Sequence, residues 1–214
     1  MNRTFRPIFL IAAVSIISLH CMAGGFKEMR DTAGFIQQLN AMTNSLKSIE
    51  SDFKQEKNMT MLEEKIISKG TFCFKKPGLI RWQYNEPYKY LVIINNSKVL
   101  IKDENKTNKF DMKSNKIFRK VNDLLTDCMQ GTVLSKRTEY RVSFFENESF
   151  FIVKLIPLTK SMKEFIGNIQ LYFDRKDYSV SRIDMVEPSG DNTLISFKNK
   201  KINQPVTNEK FIIK

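Results

Sequence analysis

The chain has 214 residues, 42% of them hydrophobic and 27% charged, which is enough apolar material for one core of ordinary size and excludes disorder as the main state. Eight Gly and six Pro exclude collagen-like and low-complexity classes, while 17 Phe and six Tyr supply a large aromatic area. The single histidine, His20, falls in a segment expected to be removed, so the mature chain lacks the usual general base and metal ligand; Ser-His-Asp, Cys-His and His-zinc chemistry are excluded. Neither G-x-x-x-x-G-K-[ST] nor G-x-G-x-x-G occurs, so the familiar phosphate-binding signals are missing as well.

Residues 1–23 begin with a positive region at Arg3 and Arg6, followed by an apolar run from Ile8 to Leu19 that is too short to span a bilayer comfortably. Cys21 and Ala23 are small residues at −3 and −1 of a cut after Ala23, so this segment is expected to be a secretory signal peptide, with 24–214 as one exported domain. Cys21 also admits a lipoprotein-signal reading, although Ser18, Leu19 and His20 depart from the preference for a Leu-like residue three places before the cysteine and a small one just before it. Cleavage lowers Lys plus Arg from 35 to 33 against 23 acids, leaving a formal charge of +10. The lysines are dispersed without an Arg-aromatic tract, which argues against nucleic acid; an acidic membrane surface, an acidic protein partner or a solvated lysine coat remain as readings. Cys73 and Cys128 remain after cleavage, either as a disulfide or as two small buried side chains.

Along the mature chain, Met29, Ala33, Ile36, Leu39, Met42 and Leu46 form one stripe at helical spacing and predict a helix over 28–46. From Ile49 the period shifts toward two, and strands are expected near 49–60, 64–75, 79–85, 89–95, 98–103, 107–112, 139–146, 149–156, 167–174, 178–187 and 192–200, with a last short piece near 209–213. Asn95-Asn96, Asn147-Glu148, Arg175-Lys176-Asp177 and Pro188-Ser189-Gly190-Asp191 supply turns. Between 114 and 131, Ile117, Val121, Leu124/Leu125 and Cys128/Met129 regain helical spacing before Gly131. So many hairpin strands tend to curl, and the expected fold is mainly β: a curved, unclosed antiparallel barrel of about 11 strands whose apolar concave face is covered by helices.

Alternation assigns Phe72 and Phe74, Ile80, Trp82 and Tyr84, and Tyr90, Val92 and Ile94 to the inner face. Val142 and Phe144, Phe151, Val153 and Leu155, Ile169, Leu171 and Phe173, and Ile195 and Phe197 join them from the later strands. Such a face either fills a packed core or lines a lipid-sized pocket.

The sequence resembles the periplasmic outer-membrane lipoprotein carrier family, LolA, over nearly the whole mature chain. The likeness is carried by the amphipathic first helix with Asp52-Phe53-Lys54-Gln55, by the block from Ser68 to Tyr84 that includes Phe74-Lys75-Lys76-Pro77 and Ile80-Arg81-Trp82, and by Glu86-Pro87. Asn95 to Val99 and Gly190 to Asn199 resemble a following hairpin and a late strand pair. The resemblance implies a non-enzymatic chaperone without cofactor, a monomer that holds lipoprotein acyl chains in a hydrophobic cavity. Its partners would be an inner-membrane ATP-driven transporter, which loads it, and an outer-membrane acceptor. On this reading Leu39, Met42, Leu46, Phe53, Phe72, Phe74, Trp82, Tyr84, Phe144, Phe151, Leu171, Phe173 and Phe197 line the cavity. Some members carry an arginine in F-K-[KR]-P whose hydrogen bonds hold the helical lid; the matching residue here is Lys76, a point charge in place of a planar fork. Arg81 is a second basic candidate, placed opposite Trp82 by alternation.

Other readings stay open: an anchored acceptor of the same fold, a carrier of another amphiphile, a filled structural module, or a hydrolase built on Glu63-Glu64, Asp174, Asp177, Asp184, Glu187 and Asp191, whose separations the sequence does not give. Nothing has the spacing of a calcium loop or zinc site.

Overall fold

A computed structural model describes residues 25–61, 64–114, 119, 123, 124, 126, 127 and 132–213. The expected signal peptide and Cys128 lie outside the described residues, as does most of the helical segment expected over 114–131.

Twelve strands form one antiparallel sheet: β1 (Lys27–Glu28), β2 (Ser48–Met59), β3 (Glu64–Lys75), β4 (Leu79–Glu86), β5 (Tyr90–Asn95), β6 (Lys98–Lys102), β7 (Thr107–Asp111), β8 (Tyr140–Glu146), β9 (Phe150–Pro157), β10 (Asn168–Asp174), β11 (Val180–Val186) and β12 (Asn192–Ile202). Their order is β1-β8-β9-β10-β11-β12-β2-β3-β4-β5-β6-β7, so two meanders are joined where β12 pairs with β2. β1 and β7 are the end strands and the sheet is not closed. Hairpin turns sit at the expected places, with left-handed backbone at Asn96 (φ 55°) and Gly190 (φ 92°).

Two sequence expectations are corrected, and one element is new. The first helix, α1, spans Thr32–Ser45 rather than 28–46: Asp31 caps it by accepting from Gly34 N–H at 2.8 Å, and Lys27 and Glu28 pair instead with Glu146 and Phe145 in β8. Ala33 is exposed, and the buried positions of α1 are Phe35, Leu39 and Thr43, a stripe of period four. The piece near 209–213 is a 3-10 turn, Asn208–Phe211, rather than a strand. It crosses β4 and β5, which are already paired on both sides and offer it no ladder, so it docks by side chains. A short helix, α2 (Lys160–Lys163), was not anticipated; it follows β9 and buries Met162.

Alternation along the strands creates two apolar layers. The larger lies on the inner face against α1 and contains Phe35, Leu39, Leu46, Phe53, Phe72 and Phe74, together with the inward residues of β8 to β12. The smaller lies on the outer face and joins Cys73, Ile93 and Leu100 to Val206 and Phe211 of the C-terminal segment. Side chains of the strands strap that segment down: Lys75 Nζ donates to Val206 O at 2.7 Å, Arg81 to Lys210 O at 3.1 Å and Asn95 Nδ2 to Phe211 O at 3.1 Å. Cys73 is a free, buried thiol in this layer.

Gly70 sets the packing at the centre of the inner face. It pairs with Phe53 on one side and Tyr84 on the other, next to an irregularity in the β3–β4 register. The Phe53 ring crosses over it to meet Tyr84 edge-on, with centroids 4.9 Å apart. A Cβ at position 70 would lie 1.9 Å from Gln83 O and 2.8 Å from the Phe53 ring. Gly70→Ala is therefore expected to destabilise the fold by about 3 kcal/mol through overpacking, read as a lower urea midpoint at unchanged slope.

Candidate functional site

The 13 residues expected to line a cavity come together in one inner-face cluster. Leu39, Leu46, Phe53, Phe72, Phe74, Trp82, Leu171, Phe173 and Phe197 are buried, whereas Met42, Tyr84, Phe144 and Phe151 are half-buried at its margin. Of the other inner-face assignments, Tyr90 is exposed, although its ring meets Tyr84 edge-on at 5.9 Å.

Two aromatic groups make up the face. In the first, Trp82 contacts Phe53 and Phe72 edge-on at 5.2 and 5.0 Å, stacks on Tyr84 at 6.5 Å and lies 6.1 Å from Phe197. In the second, Phe151 stacks on Tyr178 at 5.5 Å beneath the Arg175 guanidinium, which lies 4.3 Å from the Phe151 centroid. Phe35 is the residue that sequence reasoning missed: its ring is 5.0 Å from Phe151, 5.5 Å from Phe173 and 6.3 Å from both Phe144 and Tyr178. Its spacing of four from Leu39 was the available signal.

α1 thus enters over β8 to β10 and ends at the β3–β4 turn. Four carbonyls of its last turns have partners: Asn40 O accepts from Thr43 Oγ1, Met42 O from Ser45 Oγ, Ser45 O from Asn203 Nδ2, and Thr43 O from Lys76 Nζ at 2.6 Å. α1 has no basic residue in its own last turn, so Lys76 also supplies the cation that its dipole favours. A backbone bond, Lys76 N–H to Lys47 O at 2.9 Å, fixes the same turn. Arg81 faces outward, as alternation requires, and donates to Gln83 Oε1 at 2.7 Å.

Tyr84 O–H donates to Gln55 Oε1 at 2.9 Å, and burial pushes its pKa up to about 12. A different surface lies outside the sheet: a groove of about 890 Å³ between β2–β4 and the C-terminal segment, lined by Glu50, Asp52, Thr71, Cys73, Arg81 and Lys210 among others. Charges of both signs make it a poor host for hydrocarbon. Desolvation, reinforced by Glu50, pushes the Cys73 thiol up to about 12.

An unclosed antiparallel sheet with a helix laid across an aromatic inner face is the fold of a known group. The family model described as outer membrane lipoprotein carrier protein LolA matches residues 44–214, and the chain belongs to that family. A Xylella fastidiosa protein named outer-membrane lipoprotein carrier protein is 37% identical over 103 residues, 48% of this chain and 43% of that protein, so the match spans less than half of that relative. A Pseudomonas aeruginosa protein of the same name is 24% identical over 188 residues, 85% of this chain and 84% of its own length. Among solved structures, the Pseudomonas aeruginosa MucA/MucB complex shares the fold with a TM-score of 0.51 at 9% identity, covering 85% of this chain and 60% of that one.

Cys73 and Tyr84 hold their protons more tightly when folded than the ordinary values of 9.0 and 10.0. The unfolded chain therefore ionises first, so the contribution of these groups to stability is intact below about pH 9 and declines as pH rises toward 12. Urea midpoints are expected to fall from pH 8 to pH 11, and less steeply in Tyr84→Phe.

Proposed function

We propose that the protein is a periplasmic carrier whose inner face binds the acyl chains of lipoproteins during passage from the inner to the outer membrane. The observation that supports this most directly is the clasp of Lys76 Nζ on Thr43 O, which ties the covering helix to the edge of the aromatic face. Leu39, Phe74, Leu171 and Phe173 are 0% exposed, so hydrocarbon reaches them only when α1 moves aside. Lys76 is then the gate: releasing its side-chain hydrogen bond loosens the C-terminal end of the helix, which Asn203 also ties through Ser45 O and Lys47 N–H, while Phe35 anchors the other end against four rings.

The energetic requirement is simple. Each methylene in water costs about 0.8 kcal/mol relative to an apolar surrounding, so a multi-chain lipid anchor costs tens of kcal/mol to expose. A face that hides the chains about as well as a bilayer leaves transfer nearly balanced, and both loading and release become accessible. The drive would enter from partners, an ATP-driven transporter at the inner membrane and an acceptor at the outer one, with no covalent chemistry in the carrier. Residues 1–23 would direct export and be removed after Ala23.

Two experiments check this reading. The purified mature protein is expected to take up a fluorescent acyl probe and to lose it to a diacylated peptide; failure of uptake, even in Lys76→Met, rejects carriage. Lys76→Met is expected to raise the probe's exchange rate about tenfold, the loss of one charge-assisted hydrogen bond, and Lys76→Arg to restore it. Intact mass of the exported protein is expected to begin at Gly24; a diacylglycerol on Cys21 would instead mark an anchored acceptor.

A further inference from the structure

Four side-chain polar atoms among the described residues are buried without a hydrogen-bond partner: Ser51 Oγ, Trp82 Nε1, Asn168 Oδ1 and Arg182 Nε. Arg182 belongs to the outer face, where its guanidinium lies 4.6 Å from the centroid of the Tyr172 ring. Ser51 and Trp82 are different. They share one cross-strand row of the inner face, in which Ser51 pairs with Phe72, Phe72 with Trp82, Trp82 with Val92 and Val92 with Ile101. Ser51 is 6% and Trp82 7% exposed.

A buried polar group without a partner costs about 1–3 kcal/mol, and an indole N–H can only donate. Phenylalanine or alanine would fill these positions without that cost if the row met hydrocarbon alone. Resting on the carrier reading, we infer that Trp82 Nε1–H and Ser51 Oγ–H donate to neutral carbonyl oxygens of the cargo, the ester or amide groups that join acyl chains to a lipid anchor. The rest of the row, Phe72, Val92 and Ile101, carries no charge. A free fatty acid would therefore bring an uncompensated carboxylate into an apolar strip, whereas an ester brings an acceptor and no charge. The row selects acylated glycerides and acylated peptides over free acids. Hydrocarbon packs against Phe53, Phe72 and Phe197, and the two donors fix how deep the chains enter.

The test compares affinities for a diacylglyceryl-cysteine peptide and its dialkyl-ether counterpart, which has the same hydrocarbon and lacks the ester carbonyls. The wild-type protein is expected to bind the ester about fivefold more tightly, one to two ordinary hydrogen bonds. Trp82→Phe and Ser51→Ala are each expected to lower the ratio, and the double variant to bring it close to one. Because the readout is a ratio within each protein, a general loss of affinity in a variant does not mimic the result. The same pair of probes without the peptide, diacylglycerol and its ether, separates sources: a ratio confined to the peptide assigns the carbonyls to lipoprotein, and one shared with free glyceride assigns them to the ester wherever it occurs, either supporting the inference. A second readout needs no ligand. Removing a hydroxyl that has no partner is expected to leave Tm unchanged or raise it in Ser51→Ala, whereas a clear fall in Tm overturns the assignment. An ester-to-ether ratio of one in the wild type, or an unchanged ratio in both variants, also overturns it while leaving carriage intact. Failure to bind either probe overturns carriage itself, and the inference with it.

Discussion

A sheet with one aromatic face has to keep water off that face, and among the described residues α1 does so together with Met112, Leu124, Val133, Leu134, Met162 and Ile166. The ring of Phe35 lies among Phe144, Phe151, Phe173 and Tyr178, while Leu39 and the C-capping Leu46 belong to the same inner-face cluster. Burying three such side chains is worth about 6 kcal/mol before entropy is counted. That is large against the net stability of an ordinary domain, about 5–15 kcal/mol. The helix is therefore part of the core and also the element that must yield if the core is to admit a guest.

The two ends of the helix are held by different physics. At the first end the contact is broad, apolar and made with several strands. At the other, beside the buried Leu46, local polar ties run through Lys76 and Asn203, whose side chain accepts from Lys47 N–H at 2.6 Å as well as donating to Ser45 O. Polar contacts of this kind are individually weak and break without exposing hydrocarbon. Helix displacement is thus expected to begin at the β3–β4 turn. The outer face has the opposite character: the C-terminal segment is fastened by Phe211, fully buried, and by several side-chain bonds to β3, β4 and β5.

Much of this was legible in the sequence because a period of two is hard to disguise. β3 has the predicted bounds, and Phe72, Trp82, Phe151, Leu171, Phe173 and Phe197 all lie on the inner face that alternation assigned to them. Phe35 was not read because the helical stripe was anchored on Met29 and Ala33, outside or on the wrong side of the helix; Asp31, the cap that resets its start, shows itself through its bond to Gly34. The C-terminal segment misled because Phe211, Ile212 and Ile213 have strand-like composition, and only the three-dimensional order of the sheet reveals that no neighbouring strand awaits them. The Lys76 bond was anticipated only through family likeness, since nothing local in Lys75-Lys76-Pro77 distinguishes one lysine from the next. Trp82 was read as an inner-face residue and Ser51 was not singled out; that both groups are unpaired is a property of packing.

The ends of the sheet at β1 and β7 carry one more implication. In a closed barrel, strand number and stagger set the radius, and widening it means breaking a ladder. A sheet with two loose borders can uncurl by small changes of twist shared among twelve strands, with every ladder intact. On the carrier reading, any volume opened beneath the helix would then be elastic, and one scaffold could shelter guests of unequal girth at nearly constant cost.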